Sequence, residues 1–340
     1  MPLPQVCIVS PALTDAHNGN AHTAARWQRF LAPLARVQAV LAWQGDPADA
    51  LIALHARRSA DSIARFRSAH PERALALVLT GTDLYRDLAN GDAAAAHSLE
   101  CASHVVVLQP QALAPLPAAV RAKARVILQS ATRLVRHDRA TTRVDFVAAG
   151  HLRAEKDPLT LMDAAQQLGS EPRLRIVHIG RALEPALGAA AHTTMHGCPG
   201  YRWLGGLPPA ATRRWIARAH ALVHMSRMEG GANVVIEALR CGVPVLASRI
   251  DGNLGLLGED YEGYFPVGDA AALAALMRRF AHDSAFAARL AAQCAALAPQ
   301  FAPAAEAAAV RQLLVDMLAG ATQQRLPQWE GVSPIPRPAP

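Results

Sequence analysis

Hydrophobic residues along this chain form short apolar runs of strand length, and most of these runs are separated by segments with helical spacing. In the first part of the chain a helical pattern occupies 23–34, and the predicted strands are 6–10, 37–43, 51–55, 75–80, 105–109 and 126–129. A second series has predicted strands at 145–150, 174–179, 221–225 and 243–247, with helices at 158–168, 208–219, 233–241 and 270–282. This alternation predicts an α/β protein whose parallel sheets are covered by helices on both faces.

A break between the two series divides the chain into domains. Residues 130–143 have no apolar period and are rich in charge, so we interpret them as a linker. A length of 340 residues is enough for about two domains with separate cores. The sequence therefore predicts two Rossmann-like, doubly wound domains, at 1–140 and 144–310, which face a central cleft. We expect the last segment, 311–340, to be a helix and a proline-rich tail that returns to the N-terminal domain, with Trp329 as its anchor.

Composition excludes several classes of protein. Hydrophobic residues make up 51% and charged residues 18% of the chain, as in ordinary globular proteins. No apolar run reaches about 18 residues, and the N-terminus lacks a charged region, so neither a membrane span nor a signal peptide is predicted. The five cysteines are widely spaced and form no C-x-x-C pair, which indicates reduced thiols in a cytoplasmic protein.

The net charge of +7 suggests an anionic partner. Nucleic acid is a poor candidate, because only 5% of the residues are aromatic and no arginine run is interleaved with them. Small anionic ligands fit the charge at least as well. Only Lys123 and Lys156 are lysines among the 34 basic residues, so the place of each lysine is informative.

The first motif lies where one predicted strand ends and a predicted helix begins. It reads Gly-His-Leu-Arg-Ala-Glu-Lys-Asp-Pro, with Arg153 and Lys156 in the turn, Asp157 at the helix cap and Pro158 in the first helical turn. Ligands of parallel sheets bind beyond the carboxyl ends of the strands. Two cations at this place can bracket a diphosphate, although an arbitrary pair of this kind is more often a solvated basic turn.

The second motif follows the predicted strand 221–225. Glu229 precedes Gly230 and Gly231, and Glu237 lies on the helix that begins just after them. The glycines free the backbone, and open amide groups at the positive end of a helix bind anions. The two acids lie about 12 Å apart along a helix axis, farther than the paired carboxylates of glycosidases. They are better placed to hold hydroxyl groups at opposite ends of an extended ligand with an anionic centre.

These two segments resemble the signature motifs of GT-B glycosyltransferases of the retaining, E-x₇-E type, and the resemblance covers nearly the whole chain. It implies that Arg153 and Lys156 bind the diphosphate of a UDP-sugar, that Glu237 holds the ribose, and that Glu229 faces the donor sugar. Arg153, Lys156 and Glu229 are the implied catalytic residues. The residues expected at the nucleotide-sugar site are Gly19, Arg153, Lys156, Glu229, Gly230, Gly231, Ala232, Asn233, Val234 and Glu237. His151 departs from the family pattern, which usually has arginine there.

Segments of the first half narrow this resemblance. Residues 10–12, 18–27 and 79–85 resemble one branch of the family, the selenosugar synthases of selenoneine biosynthesis, which join a UDP-activated N-acetylhexosamine to selenophosphate. Taken alone, 18–20 is a plain turn, which asparagine and glycine favour. The resemblance implies an acceptor site on the first domain, formed by Asn18, Asn20, His22, Thr23, Arg26, Thr80, Thr82 and Asp83.

The implied reaction needs neither a metal nor a cofactor, and its partners are small-molecule substrates, without nucleic acid or membrane. Negative charge grows on the departing diphosphate, and Arg153, Lys156 and the helix end at 230–233 stabilise it. Selenophosphate is already anionic and nucleophilic, so it needs no side-chain base. It does need a cation to position it, for which Arg26, His22 and His17 are the candidates.

Other chemistries fit these residues less well. A nicotinamide dehydrogenase needs a G-x-G-x-x-G turn after the first strand, which is absent. A pyridoxal-dependent phosphorylase needs a Schiff-base lysine, and one of the two lysines is already matched to the diphosphate. His192, His196 and Cys198 lack a second cysteine pair, so we interpret them, with His220 and His224, as structural rather than zinc ligands. Two alternatives stay open: a GT-B glycosyltransferase with a hydroxyl acceptor, and a catalytically silent sugar-nucleotide-binding protein.

Overall fold

The structure contains two six-stranded, fully parallel sheets. It is a computed structural model, and it describes residues 2–13, 19–134, 139–169 and 171–323. The first sheet has the order β2-β1-β3-β4-β5-β6 and the second β12-β11-β10-β7-β8-β9. The strands of the first sheet are β1 (Gln5–Val9), β2 (Arg36–Val40), β3 (Ala50–Leu54), β4 (Ala74–Leu79), β5 (His104–Val107) and β6 (Ala124–Val126). Those of the second are β7 (Val144–Ala149), β8 (Leu174–Ile179), β9 (Tyr201–Trp203), β10 (Ala221–His224), β11 (Val245–Ser248) and β12 (Tyr264–Phe265).

Helices cover both faces of each sheet. The first domain has α1 (Gly19–Leu31), α2 (Ala60–Ala69), α3 (Ala93–Cys101) and α4 (Ala118–Arg121), together with a short π-helix, Asp83–Leu88. The second has α5 (Pro158–Leu168), α6 (Pro185–Gly197), α7 (Pro209–Arg218), α8 (Asn233–Arg240), α9 (Asp251–Leu257), α10 (Ala270–His282) and α11 (Ser284–Leu297). A last helix, α12, spans Pro303–Gln323. Strands β3 and β4 are buried at every position, because apolar side chains on both faces meet covering helices.

The order of the strands shows where a ligand would bind. In the second sheet, β8 and β9 extend from β7 in one direction, while β10, β11 and β12 extend in the other. The strand order therefore reverses between β7 and β10, and it reverses again between β1 and β3 in the first sheet. Open parallel sheets bind ligands at the carboxyl ends of the strands beside such a reversal. Both sequence motifs follow β7 and β10.

The C-terminal helix belongs to the core of the first domain. Val310, Leu313, Leu314 and Met317 of α12 are buried in one cluster with Trp27 and other side chains of α1 and the first sheet. Because α12 begins at Pro303, the chain re-enters the first domain before residue 311. The two crossings between the domains lie side by side, since the amide of Ala131 donates to the carbonyl of Phe301 at 3.2 Å. The tail with Trp329 lies outside the described residues.

Several elements differ from the prediction. The strand predicted at 126–129 is β6, which ends at Val126. Strands β9 and β12 are not predicted by the sequence pattern, because runs of three and two residues are too short to show alternation. Lys123 is structural: its ammonium donates to the carbonyls of Leu99 and Ala102, at 2.8 and 2.6 Å, and so caps the end of α3.

Candidate active site

Glu229 lies at the centre of the site, in the loop that follows β10. One carboxylate oxygen, Oε1, accepts a hydrogen bond from the ammonium of Lys156 and a second from the hydroxyl of Ser226 at 2.7 Å. The same oxygen lies 3.3 Å from Nε2 of His224. Side-chain exposure is 11% for Glu229 and 21% for Lys156, so this group is largely shielded from water.

The protonation of Glu229 follows from these neighbours. Burial alone raises the pKa of a carboxyl group, but the charge of Lys156 and the contact with His224 outweigh it. Together they hold the pKa of Glu229 well below its ordinary value. Glu229 is therefore an anion, suited to accepting hydrogen bonds and unsuited to donating a proton.

Lys156 reaches Glu229 from the turn that follows β7. This turn is a single 3₁₀ turn, Ala154–Lys156, preceded by Arg153, whose side chain is 37% exposed. Asp157 occupies the cap position of α5 in the left-handed region, at φ 47°. Its carboxylate accepts from the Thr160 hydroxyl at 2.8 Å and pairs with Arg227 at 3.1 Å instead of capping a helix amide. Asp157 is therefore the cap residue of α5, as predicted, although its side chain accepts no helix amide, and the strand-turn-helix order is also as predicted.

Glycines bring the two domains together beside this group. A Cβ on Gly230 would lie 2.4 Å from the carbonyl carbon of Thr80, and one on Gly81 would lie 2.5 Å from the amide nitrogen of Gly230. Gly81 also has a φ of +122°, which side-chain-bearing residues rarely adopt. At the same edge of the site, Gly19 lies close to the side-chain amide of Asn233, the first residue of α8. This backbone contact across the cleft is possible only because neither Gly81 nor Gly230 carries a side chain.

Glu237 lies farther along α8 in a different environment. Burial raises the pKa of Glu237 to about 7, and Arg213 and Arg26 oppose the shift only in part. The nearest atoms of Arg213 and Glu237 are 3.8 Å apart, too far for a hydrogen bond. A carboxyl group that is poorly paired and partly buried can gain partners from the hydroxyl groups of a ligand.

The first domain uses some predicted acceptor residues for structure. The carboxylate of Asp83 is fully buried and accepts from the amides of Ala56, Thr80 and Gly81 at 3.0, 2.9 and 2.8 Å. It therefore orders the loop before the π-helix and presents no oxygen to a ligand. Thr23 is also buried, and its hydroxyl donates to the carbonyl of Gly19 at 2.9 Å. In this arrangement both side chains serve the fold of the first domain, and the acceptor contacts that the resemblance implies for Asp83 and Thr23 stay predictions.

Arg26 is paired within the protein. Its guanidinium binds the buried carboxylate of Glu306 on α12 at 3.1 Å. Glu306 also accepts from the indole of Trp27 at 2.9 Å and from the amide of Ser130 at 2.8 Å. Arg26 thus lies near Glu237 with its charge already balanced by α12.

The remaining expected acceptor residues have varied surroundings. Thr82 lies at the cleft, and its hydroxyl is 3.1 Å from Nε2 of His55, a buried residue with a left-handed backbone at φ 73°. Asn20, His22 and Thr80 are half-buried. His17 and Asn18 lie outside the described residues.

Sequence reasoning missed four residues of this site. His224 and Ser226 bind Glu229, Arg213 approaches Glu237, and His55 contacts Thr82. The only available signal was the pair of polar residues, His224 and Ser226, at the end of a buried strand. The sequence predicts a structural role for His224, whereas its imidazole lies beside the central carboxylate.

An open cavity of about 320 Å³ adjoins Glu229 between the two domains. One wall belongs to the π-helix of the first domain, and the others belong to the loop after β10 and the start of α9. The lining residues are Tyr85, Arg227, Met228, Glu229, Ile250, Asp251 and Gly252.

Among the described residues, no group of three or more histidine, cysteine or acidic side chains could hold a metal ion. The imidazole of His192 packs edge-on against Trp203, with centroids 5.0 Å apart, and His196 hydrogen-bonds to the carbonyl of His192 at 2.7 Å. In the same described ranges, no helix is long and apolar enough to cross a membrane.

The second domain matches a known family. Residues 133–296 match the model of glycosyl transferases group 1, which covers just under half of the chain. The matched residues contain the Lys156 turn, Glu229 and Glu237. This stretch is therefore similar to the glycosyl transferases of group 1.

The chain as a whole has the GT-B fold, as predicted. It is similar to HepE of Anabaena, solved in complex with UDP and glucose, with a TM-score of 0.70 at 15% identity over 93% of this chain and 99% of that one. It is also similar to sucrose-phosphate synthase from Thermosynechococcus elongatus, with a TM-score of 0.74 at 17% identity and the same coverage, 93% and 99%. At these identities the likeness establishes the fold alone.

A curated relative matches over part of its length. The Glycosyltransferase 1 domain-containing protein 1 of Xenopus tropicalis is 28% identical over 163 residues, which are 48% of this chain and 46% of that protein. The match thus spans about half the length of this relative.

Proposed function

We propose that this chain is a UDP-sugar-dependent glycosyltransferase that transfers an N-acetylhexosamine to selenophosphate. The observation that carries the donor half is the ion pair of Lys156 with Glu229. It lies where the strand order of the second sheet reverses, next to the glycine turn that starts α8. The similarity of residues 133–296 to the glycosyl transferases of group 1 and the UDP complex of the similar protein HepE support a nucleotide-sugar donor.

Each donor group has a role in this proposal. Arg153 and Lys156 take the diphosphate, and the amides of residues 230–233 at the start of α8 receive its oxygens. Glu237 accepts hydrogen bonds from the ribose hydroxyls. These bonds give its buried carboxyl group the partners that it lacks within the protein. Glu229, held as an anion, accepts from a hydroxyl of the transferred sugar.

The reaction balances without a metal or a side-chain base. The bond between the anomeric carbon and the diphosphate oxygen breaks, and its electron pair leaves with UDP. A selenium lone pair of selenophosphate forms the new carbon–selenium bond, so no proton has to be removed from the acceptor. Arg153, Lys156 and the helix end stabilise the charge that grows on the leaving group.

Resemblance of the first-domain segments to selenosugar synthases supports the acceptor half. A second candidate, a hydroxyl acceptor, is favoured by the pairing of Arg26 with Glu306, because this pairing balances the cation expected to hold an anionic acceptor. The five free cysteines fit a cytoplasmic protein.

One experiment separates these candidates. The purified protein is incubated with UDP-N-acetylglucosamine and selenophosphate in the presence of a chelator, and mass spectrometry follows UDP and the selenosugar. We expect both products in equal amounts. Turnover only with hydroxyl acceptors would support the second candidate, and UDP binding without any turnover would identify a silent binding protein. The Lys156→Ala protein is the negative control, and the Lys123→Ala protein is its matched partner.

A further inference from the structure

The cavity beside Glu229 has walls from both domains. Tyr85 comes from the π-helix of the first domain, while Met228, Ile250 and Asp251 come from the second. Because Glu229 forms part of the lining, whatever fills the cavity touches the central carboxylate. At about 320 Å³ its size is near the lower end for small-molecule sites, which suits one monosaccharide unit better than a whole nucleotide sugar.

The charge of the lining selects a neutral ligand. Glu229 and Asp251 contribute two carboxylates, whereas the one lining cation, Arg227, already pairs with Asp157 at 3.1 Å. A phosphate or selenophosphate here would face two negative charges. Hydroxyl and amide N–H groups, by contrast, would find acceptors. The anionic parts of both substrates therefore belong on the Lys156 side of Glu229.

Asp251 is an unused acceptor in a fixed position. Within the described part of the chain its carboxylate has no hydrogen-bond or ion-pair partner. The next residue, Gly252, lies so close to Glu229 that a Cβ there would be 2.5 Å from the Glu229 carbonyl oxygen. Asn253 then donates to the carbonyl of Ser248 at 2.8 Å, which ties the start of α9 to the end of β11.

Tyr85 supplies a donor and an apolar face opposite Asp251. Its hydroxyl accepts from the amide of Gln109 at 2.8 Å, so its own proton remains available to a ligand. Burial, and then the charge of Asp251, raise the pKa of Tyr85 and keep that proton in place. The ring, with Met228 and Ile250, forms an apolar wall that suits the C–H face or the acetyl methyl group of a sugar.

We propose that the cavity holds the transferred sugar of the donor and that Asp251 and Tyr85 determine which sugar is accepted. This inference rests on the proposed function. Asp251 accepts a hydrogen bond from a hydroxyl or amide of the sugar, and Tyr85 donates one to it while packing against its apolar face.

The test compares the affinities of UDP and UDP-N-acetylglucosamine by calorimetry in the absence of acceptor. We expect Asp251→Asn to leave the Kd of UDP within about twofold and to weaken UDP-N-acetylglucosamine about tenfold, the loss of one charge-assisted hydrogen bond. We expect a smaller loss of the same kind from Tyr85→Phe. Asp61→Asn is the matched control, because Asp61 is also an exposed acid in the first turn of a helix, α2, and lies outside the cavity.

Three outcomes would overturn the inference. Unchanged affinity of Asp251→Asn for UDP-N-acetylglucosamine would remove Asp251 from the sugar site. Binding of inorganic phosphate to the UDP-loaded wild-type protein that Tyr85→Phe weakens would place an anion in the cavity instead. If the wild-type protein binds neither UDP nor a UDP-sugar, the proposed function itself fails, and the inference fails with it.

Discussion

Lys156 and Glu229 follow different strands, β7 and β10, and join in one ion pair at the reversal of strand order between them. The charge of the lysine expected to bind the donor is thus balanced by a residue of the protein itself. A donor diphosphate competes with Glu229 for this ammonium, and the sugar hydroxyls compete with Lys156 for the carboxylate. Donor binding therefore replaces an internal contact with two contacts to the ligand.

The first prediction concerns this pair. Lys156→Met and Glu229→Gln each leave a partly buried charge without its partner, so we expect each to lower the unfolding free energy by about 1–3 kcal/mol. The double variant should lose less than the two single losses added together, because it leaves neither charge behind. Urea unfolding of the four proteins measures this coupling.

Lys123→Met provides the control for the first prediction. This variant loses the cap of α3 and should lower stability, yet it should leave UDP affinity unchanged. Lys156→Met should weaken UDP at least tenfold, roughly the value of one charge-assisted contact. Equal UDP affinity in both variants would remove Lys156 from the donor site.

The second prediction follows from the raised pKa of Glu237. A folded-state pKa of about 7 against an ordinary value of 4.5 means that the folded protein holds this proton more tightly than the unfolded chain. Stability from this group therefore falls as the pH rises from 4.5 to 7, by an amount on the order of 2 kcal/mol. Glu237→Gln should remove this dependence, so the variant gains stability relative to the wild type towards pH 7.

UDP affinity should depend on the ionisation of Glu237 in the opposite direction from stability, rising with pH where stability falls. Ribose hydroxyls bind best to the ionised carboxylate, so the affinity of the wild type for UDP should rise between pH 6 and 8, around the pKa of about 7. The Glu237→Gln protein carries no titrating group there, and its profile reports the titration of UDP itself. Parallel profiles in the two proteins would place the ribose elsewhere.

Local sequence patterns predict much of this site. The Lys156 turn and the Glu229–Gly230 turn each lie within one strand-turn-helix segment, so their residue types and spacing reveal them directly. Burial and long-range pairing do not appear in such a pattern. The resemblance implies an acceptor contact for Asp83, whereas in the structure its carboxylate accepts from four backbone amides around the loop.

The pairing of Arg26 is a second long-range contact that no local sequence pattern predicts. Its partner, Glu306, is 280 residues away along the chain. Only the packing of α12 against α1 brings the two together, and no spacing rule connects them. The short strands β9 and β12 are likewise not predictable from the sequence. They are stabilised by pairing with β8 and β11, and they show no hydrophobic pattern of their own.

The third prediction concerns Glu306. Its carboxylate is fully buried and holds Arg26, Trp27 and Ser130 together where the chain crosses between the domains. Glu306→Gln leaves the buried guanidinium without a counter-charge, so we expect a loss of about 2–4 kcal/mol in the free energy of unfolding. Asp316→Asn on the same helix breaks the more exposed pair with Arg125 and should cost less than about 1 kcal/mol. Similar losses in the two variants would show that Glu306 contributes no more than a surface charge.

The fourth prediction concerns the close backbone approach between the domains at Gly81 and Gly230. Gly230→Ala would put a methyl group 2.4 Å from the backbone of Thr80, and backbone atoms cannot move aside as a side chain can. The domains must then separate slightly, while the amides that face the donor stay in place. We expect kcat to fall roughly 10–100-fold, as for a reacting group misplaced by about 1 Å, with the Kd of UDP within about threefold because its binding groups are unchanged.

Small-angle scattering and steady-state kinetics together test the predicted separation of the domains and the predicted fall in kcat. The Gly230→Ala protein should have a larger radius of gyration than the wild type when UDP is bound, since closure is blocked at the Gly81–Gly230 contact. Gly197→Ala is the matched control, because a Cβ at the end of α6 meets nothing within 4 Å, and it should change neither measurement. An unchanged radius with reduced kcat would mean that Gly230 acts on the substrate itself. Unchanged kcat would mean that the Gly81–Gly230 approach does not belong to the reactive arrangement of the domains.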